Sequence, residues 1–133
     1  MITTHDAASN NSKILVVDDD AGIRDLLREV LLDNGYVVEL AANGADALAA
    51  VRAGPPAVVL MDLMMPILSG FEATTALKRD RATATIPIVA MSAGRTLQSL
   101  GSAVPVDDYI SKPFDLVRLL AILERHIVRP EPI

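Results

Sequence analysis

The sequence predicts an α/β protein: a doubly wound, five-stranded parallel sheet of order 2-1-3-4-5 with helices on both faces. Two observations carry that prediction. Apolar runs without alternation, such as Ile14-Leu15-Val16-Val17 and Val58-Val59-Leu60-Met61, have the composition of strands covered on both sides. Segments of helical period separate these runs, and a parallel neighbour is reached only through such a crossover.

The elements follow in order. Residues 1–12 are polar with nothing to bury, so a disordered leader is expected ahead of one domain over 13–128, with 129–133 as a tail. Lys13 to Val17 is the first strand, stopped by Asp18-Asp19-Asp20. Ile23, Leu26, Leu27, Val30 and Leu31 fall on one stripe of a helix, with Asp19 or Asp20 available as N-cap and Asn34-Gly35 as its stop. Tyr36 to Leu40 is a half-buried strand interrupted by Glu39, and Asn43 caps an Ala-rich helix through Val51 that ends near Gly54-Pro55-Pro56. The central strand, 57–61, delivers Asp62 where it leaves the core, and Pro66 ends regular structure shortly after. Ser69 and Glu72 have the spacing of a capping box, opening a helix to about Asp80.

Ile86 to Met91 is the fourth strand, followed by Ser92-Ala93-Gly94. Between Arg95 and Val106 the apolar periodicity is poor, so the helix of that crossover is expected to be short or irregular, near Thr96 to Leu100. Asp108-Tyr109-Ile110 is the last strand, and Leu116, Leu119, Leu120, Leu123 and Ile127 make a final amphipathic helix. Val117, Ala121 and Ile122 widen its apolar surface, which fits either a partner or dimer face or extra core contact. His126 falls at the polar edge of that helix and is expected to be solvated.

Composition narrows the function. With 51% hydrophobic and 22% charged residues the chain is globular, and two Phe, two Tyr and no Trp leave an aliphatic core. The absence of cysteine excludes a disulfide framework, thiol catalysis and thiolate metal sites. A net charge of -5 argues against direct nucleic-acid binding, which needs a basic face. No segment has a signal-peptide core or reaches membrane-spanning length, so a cytoplasmic location without membrane contact is expected.

In the order 2-1-3-4-5, which is flavodoxin-like, the carboxyl ends of strands one and three flank the functional crevice. These ends carry Asp18-Asp19 and Asp62, while strands four and five deliver Ser92 and Lys112. Carboxylates brought together repel unless a cation or proton intervenes, and an all-oxygen, thiol-free set suits Mg²⁺. Acids, a hydroxyl and an ammonium around a hard cation make a site for a phosphoryl group, with ionised Asp62 as an in-line nucleophile. Met61, Met64 and Met65 are packing and loop side chains, since a thioether is too soft for Mg²⁺.

Four stretches together carry a resemblance: Val16-Val17-Asp18-Asp19-Asp20, Met61-Asp62-Leu63-Met64-Met65-Pro66 followed by Ser69-Gly70-Phe71-Glu72, Met91-Ser92-Ala93, and Tyr109-Ile110-Ser111-Lys112-Pro113-Phe114. In these the chain resembles the receiver domain of bacterial two-component response regulators. The resemblance implies that Asp62 accepts a phosphoryl group from a histidine kinase or phosphotransfer protein. It implies that Asp19, Asp62 and the backbone carbonyl of Met64 bind Mg²⁺, that Asp18 holds the metal through water, and that Lys112 pairs with the phosphoryl group. Ser92 and Tyr109 would form the switch, remodelling the surface of the fourth helix, fifth strand and fifth helix for a downstream protein partner or for a homodimer. The Lys112–Pro113 bond is implied to be cis.

Two features depart from the pattern. The stretch from Ser92 to Tyr109 is short and lacks a clear amphipathic helix, and Met64 and Gly94, two beyond Asp62 and Ser92, are neither acidic nor amide. No side-chain help for dephosphorylation is expected from either. The chain ends at Ile133 after the last helix, as a stand-alone receiver or a piece of a longer protein. The protein is expected to catalyse only its own phosphorylation and dephosphorylation. The competing readings are a Mg²⁺-dependent phosphatase or phosphotransferase working through an aspartyl phosphate, which needs a second carboxylate near the nucleophile, and a degenerate receiver that only docks. A flavodoxin-like cofactor binder would need a phosphate loop rich in Ser, Thr and Gly, where this chain has three acids.

Overall fold

The computed structural model of the protein describes residues 12–65, 68–93 and 105–127. Strands β1 (Lys13–Val17), β2 (Val37–Ala41), β3 (Val58–Asp62), β4 (Ile88–Ala93) and β5 (Asp108–Lys112) form one sheet, with helices α1 (Ala21–Asp33), α2 (Gly44–Ala53), α3 (Gly70–Arg79) and α4 (Leu116–His126). The strand order is β2-β1-β3-β4-β5 and every pairing is parallel, as the alternation of elements predicts. The expected irregular helix between β4 and β5 falls on 94–104, outside the described residues, as do 1–11 of the leader and 128–133 at the tail.

The pleat sends successive side chains to opposite faces, so the sheet separates two cores. Ile14, Val16, Val58, Leu60, Val89 and Met91 pack with Leu27 and Leu31 of α1 and Leu119 and Leu123 of α4. Leu15, Val17, Val59, Met61, Ile88 and Ala90 pack with Ala47 and Val51 of α2 and Ala73 and Leu77 of α3. Both faces of β1 and β3 are therefore apolar, which is why their runs do not alternate.

Local chemistry sets the helix ends. Asp20, not Asp19, caps α1 by accepting from the Gly22 and Ile23 amides, and Gly35 leaves the helix at a φ of 86°. Asn43 and Asp115 cap α2 and α4, and Ser69 and Glu72 form the expected capping box on α3. Strand boundaries shift by a residue or two. β4 starts only at Ile88, because Pro87 has no N–H to give; its carbonyl instead accepts from Val59 at 3.0 Å. β5 runs on to Lys112, beyond the three residues expected. Ser12, counted with the leader, is already buried, and its carbonyl accepts from Val37.

Two contacts correct or extend the reading of the surface. His126 is not simply solvated: its Nε2 lies 3.2 Å from Asp108 Oδ2, which also accepts from Arg125. Burial works against the Asp108 carboxylate, yet hydrogen bonds from His126, the Tyr109 amide and Arg125 outweigh it and lower its pKa. On the last helix Ile122 is core, whereas Val117 and Ala121 face outward. At the opposite end of the sheet, Lys78 Nζ donates to the carbonyls of Ala84 and Ile86 and to Asp107 Oδ2 at 2.7 Å, fastening the end of α3 to the approaches of β4 and β5.

Thr74 on the inner face of α3 is fully buried, and its hydroxyl has no hydrogen-bond partner among the described residues. A buried, unpaired hydroxyl costs its desolvation without return. Thr74→Val keeps the shape and removes that cost, so the variant is expected to gain about 1 kcal/mol, read as a higher urea midpoint at unchanged slope.

Candidate functional site

The crevice is built from the carboxyl ends of four strands. Asp18 directly follows β1, Asp62 is the last residue of β3, Ser92 lies in β4 one residue past Met91, the register partner of Asp62, and Lys112 ends β5. One carboxylate oxygen from each of Asp18, Asp19 and Asp62 lies within 4.8 Å of the others. Asp18 and Asp62 are buried, at 0% and 5% exposure, while Asp19 faces out.

Lys112 is the counter-charge. Its ammonium lies 2.7 Å from Asp18 Oδ2 and 3.5 Å from Asp62 Oδ2. Burial disfavours that ammonium, but the hydrogen bond to Asp18 and the fields of Asp62 and Asp18 prevail and raise its pKa. The Lys112–Pro113 peptide is cis, as the resemblance implies.

The surroundings of Asp62 disfavour its charged form. Burial pushes its carboxyl up to about 6, helped by the negative Asp18 and Asp19 and opposed by the Met64 amide and Lys112. The Met64 amide donates to Asp62 Oδ1 at 3.1 Å, so the chain after β3 turns back over the carboxylate. Leu63 continues the sheet by donating to the Met91 carbonyl. Met64 is 59% exposed, and Gly94 lies outside the described residues.

Ser92 is 2% exposed, and its hydroxyl finds no partner among the described residues. A buried hydroxyl left without a partner has a hydrogen bond still to give. Tyr109 is not gathered into the cluster: it stands on β5 and is 56% exposed.

The acidic turn is more tightly held than the sequence suggests. Asp18 Oδ1 accepts from the Asp20 amide at 3.0 Å, the Asp18 amide donates to Ala41 at the end of β2, and the Asp18 carbonyl accepts from Arg24 Nη1 at 2.7 Å. Sequence reasoning missed Arg24. Its signal was faint, a single arginine in the opening of α1 that reads as a solvated charge.

This chemistry has known counterparts. Residues 14–124 match the family model described as response regulator receiver domain. The chain is 40% identical over 122 residues to the response regulator MprA of Mycobacterium sp. (strain KMS), covering 90% of this chain and 52% of that protein. The MprA of Mycobacterium avium (strain 104) is 39% identical over the same share of this chain and 53% of its own. The chain thus spans about half the length of these curated relatives. Among solved structures, the Vibrio cholerae chemotaxis protein CheY4 superposes with a TM-score of 0.79 at 33% identity, over 87% of this chain and 98% of that one. The receiver domain of sensor histidine kinase PA1611 from Pseudomonas aeruginosa PAO1, whose structure holds a magnesium ion coordinated in the active site cleft, gives a TM-score of 0.81 at 28% identity over 86% and 96%. Because the family match spans every strand end that builds this crevice, the chain belongs to the response regulator receiver domains of two-component signalling.

Proposed function

We propose that this receiver is a phosphorylation switch in which Asp62 takes a phosphoryl group from a histidine kinase or phosphotransfer protein. The observation that carries the reading is a buried carboxylate with a lysine 3.5 Å away and, one residue past its sheet neighbour, a buried hydroxyl without a partner among the described residues. The oxygen cluster of Asp18, Asp19 and Asp62 fits Mg²⁺, a hard cation that takes carboxylates and keeps waters. Asp19, Asp62 and the Met64 carbonyl would hold it directly and Asp18 through water. When bound, it would supply positive charge against the phosphoryl oxygens.

An Asp62 oxygen forms the new bond to phosphorus while the bond from phosphorus to the donor breaks, its electron pair leaving with the donor. Lys112 and the Ser92 hydroxyl then bond to the phosphoryl oxygens. Turning Ser92 toward them frees space beside β5 for the Tyr109 ring to move inward, which remodels the β5 and α4 surface seen by a protein partner. New charge-assisted hydrogen bonds supply the few kcal/mol, about 1.5–3 each, that such a population shift requires. The chain catalyses its own modification and its reversal, and no second carboxylate follows Asp62 closely enough to turn over a separate substrate: Leu63 and Met64 stand there. The net charge of -5 directs the receiver's own contacts toward proteins rather than nucleic acid.

The test is intact mass after incubation with acetyl phosphate, with Mg²⁺ or chelator, beside Asp62→Asn. One phosphoryl group is expected on the wild type with Mg²⁺ and none on the variant. A folded, Mg²⁺-binding wild type that gains nothing would overturn the reading.

A further inference from the structure

We propose that Arg24 is a positioning residue for the acidic turn, its grip on the Asp18 carbonyl setting the direction in which Asp19 offers its carboxylate to a divalent cation. The inference rests on the metal-assisted phosphoacceptor reading above. Asp18 is fastened at every polar group: its amide to Ala41, one carboxylate oxygen to the Asp20 amide, the other to Lys112, and its carbonyl to the Arg24 guanidinium. Asp19 has an exposed side chain. The peptide plane between Asp18 and Asp19 sets the direction in which the Asp19 Cα–Cβ bond leaves the backbone, and the carbonyl of that plane is what Arg24 holds.

Arg24 itself is anchored. Its amide donates to the Asp20 carbonyl in the first bond of α1, and Asp20 caps the same helix. The turn from Asp18 to Asp20 is thus bracketed by α1 twice, by cap and by guanidinium. A charge-assisted bond of 2.7 Å to a carbonyl is strong enough to fix a peptide plane.

A second role for the same residue makes the opposite prediction. If Arg24 acted only as a positive charge near three carboxylates, it would repel a cation, and removing it would tighten Mg²⁺ binding. If it positions Asp19, removing it weakens binding. Supporting groups behind metal ligands typically change affinity by about tenfold or more.

The experiment is a calorimetric Mg²⁺ titration of wild type, Arg24→Met and Arg24→Lys, with thermal melts in chelator to show that each is folded. Weaker binding in Arg24→Met by about tenfold, partly restored by Arg24→Lys, whose ammonium can reach the same carbonyl, is expected. Unchanged or tighter Mg²⁺ binding in Arg24→Met would overturn the proposal while leaving the phosphoacceptor reading intact. A folded wild type that binds no Mg²⁺ would overturn both. Should Arg24→Met fail to fold, the sign of the change in Arg24→Gln decides in its place.

Discussion

Gly70→Ala is expected to cost the receiver about 3 kcal/mol or more of stability and to slow its phosphorylation. Gly70 opens α3 directly beneath the phosphoacceptor loop. A methyl group there would meet the Asp62 carbonyl oxygen at 2.0 Å, the Leu63 Cα at 2.7 Å and the Asp62 carbonyl carbon at 2.8 Å. These are backbone atoms, so no rotamer change relieves the contact. Either α3 withdraws from the sheet, opening the core around Ala73 and Leu77, or the chain at Asp62 and Leu63 shifts and loses the Leu63 to Met91 and Met64 to Asp62 hydrogen bonds. Gly22→Ala is the control. Its added methyl would meet only the Asp20 side chain, at 3.2 Å, and stability should stay within about 1 kcal/mol of wild type. Urea midpoints for both variants check this, and equal midpoints would refute it.

Asp62→Asn is expected to stabilise the metal-free protein at neutral pH by about 2–3 kcal/mol even as it abolishes phosphorylation. Burial, with Asp18 and Asp19 nearby, raises the folded-state pKa of Asp62 from 3.8 to about 6. A carboxyl raised in this way binds its proton more tightly folded than unfolded. Wild-type stability therefore falls as pH rises from about 4 to about 6, and for this group stays at its lower level above that. Asparagine does not ionise, and its amide oxygen can still accept from Met64. The advantage of the variant should be full at pH 7.5 and nearly gone at pH 4, measured by urea unfolding in chelator. An advantage of equal size at both values would show that ionisation of Asp62 is not its source. Adding Mg²⁺ should narrow the gap at pH 7.5 by stabilising the wild type more, since ligand binding to the folded state adds stability by mass action.

What was legible in the sequence is what repeats or converges. Val58 to Met61 declares a strand buried on both faces by composition alone, and five strands alternating with segments of helical period leave little choice of sheet. Asp18, Asp62, Ser92 and Lys112 were legible as a group because a parallel sheet sends all its carboxyl ends to one edge. Arg24, Lys78 and the Asp108 to His126 pair were not, since each contact depends on where a long or solvent-facing side chain lands after the helices dock. Gly70 was legible only as a member of the stretch that opens α3 with the Ser69 and Glu72 capping box. Its close approach to Asp62 was not, because the distance between two backbones belongs to the packed structure. Ser92 was singled out for its position; that its hydroxyl is buried without a partner among the described residues follows only from the neighbours the fold places around it.

The sheet that keeps the two cores apart also acts as a partition for evolution. Among the described residues, α1 and α4 share one hydrophobic cluster and α2 and α3 the other, with the sheet between them. A lineage can therefore rework the surface and packing of one pair of helices, acquiring a new partner there, while the opposite compartment stays as it was. The phosphoacceptor edge is tied to each compartment at particular points, to α1 through Arg24 and to α3 through the close approach of Gly70, so only changes that spare those points leave it undisturbed.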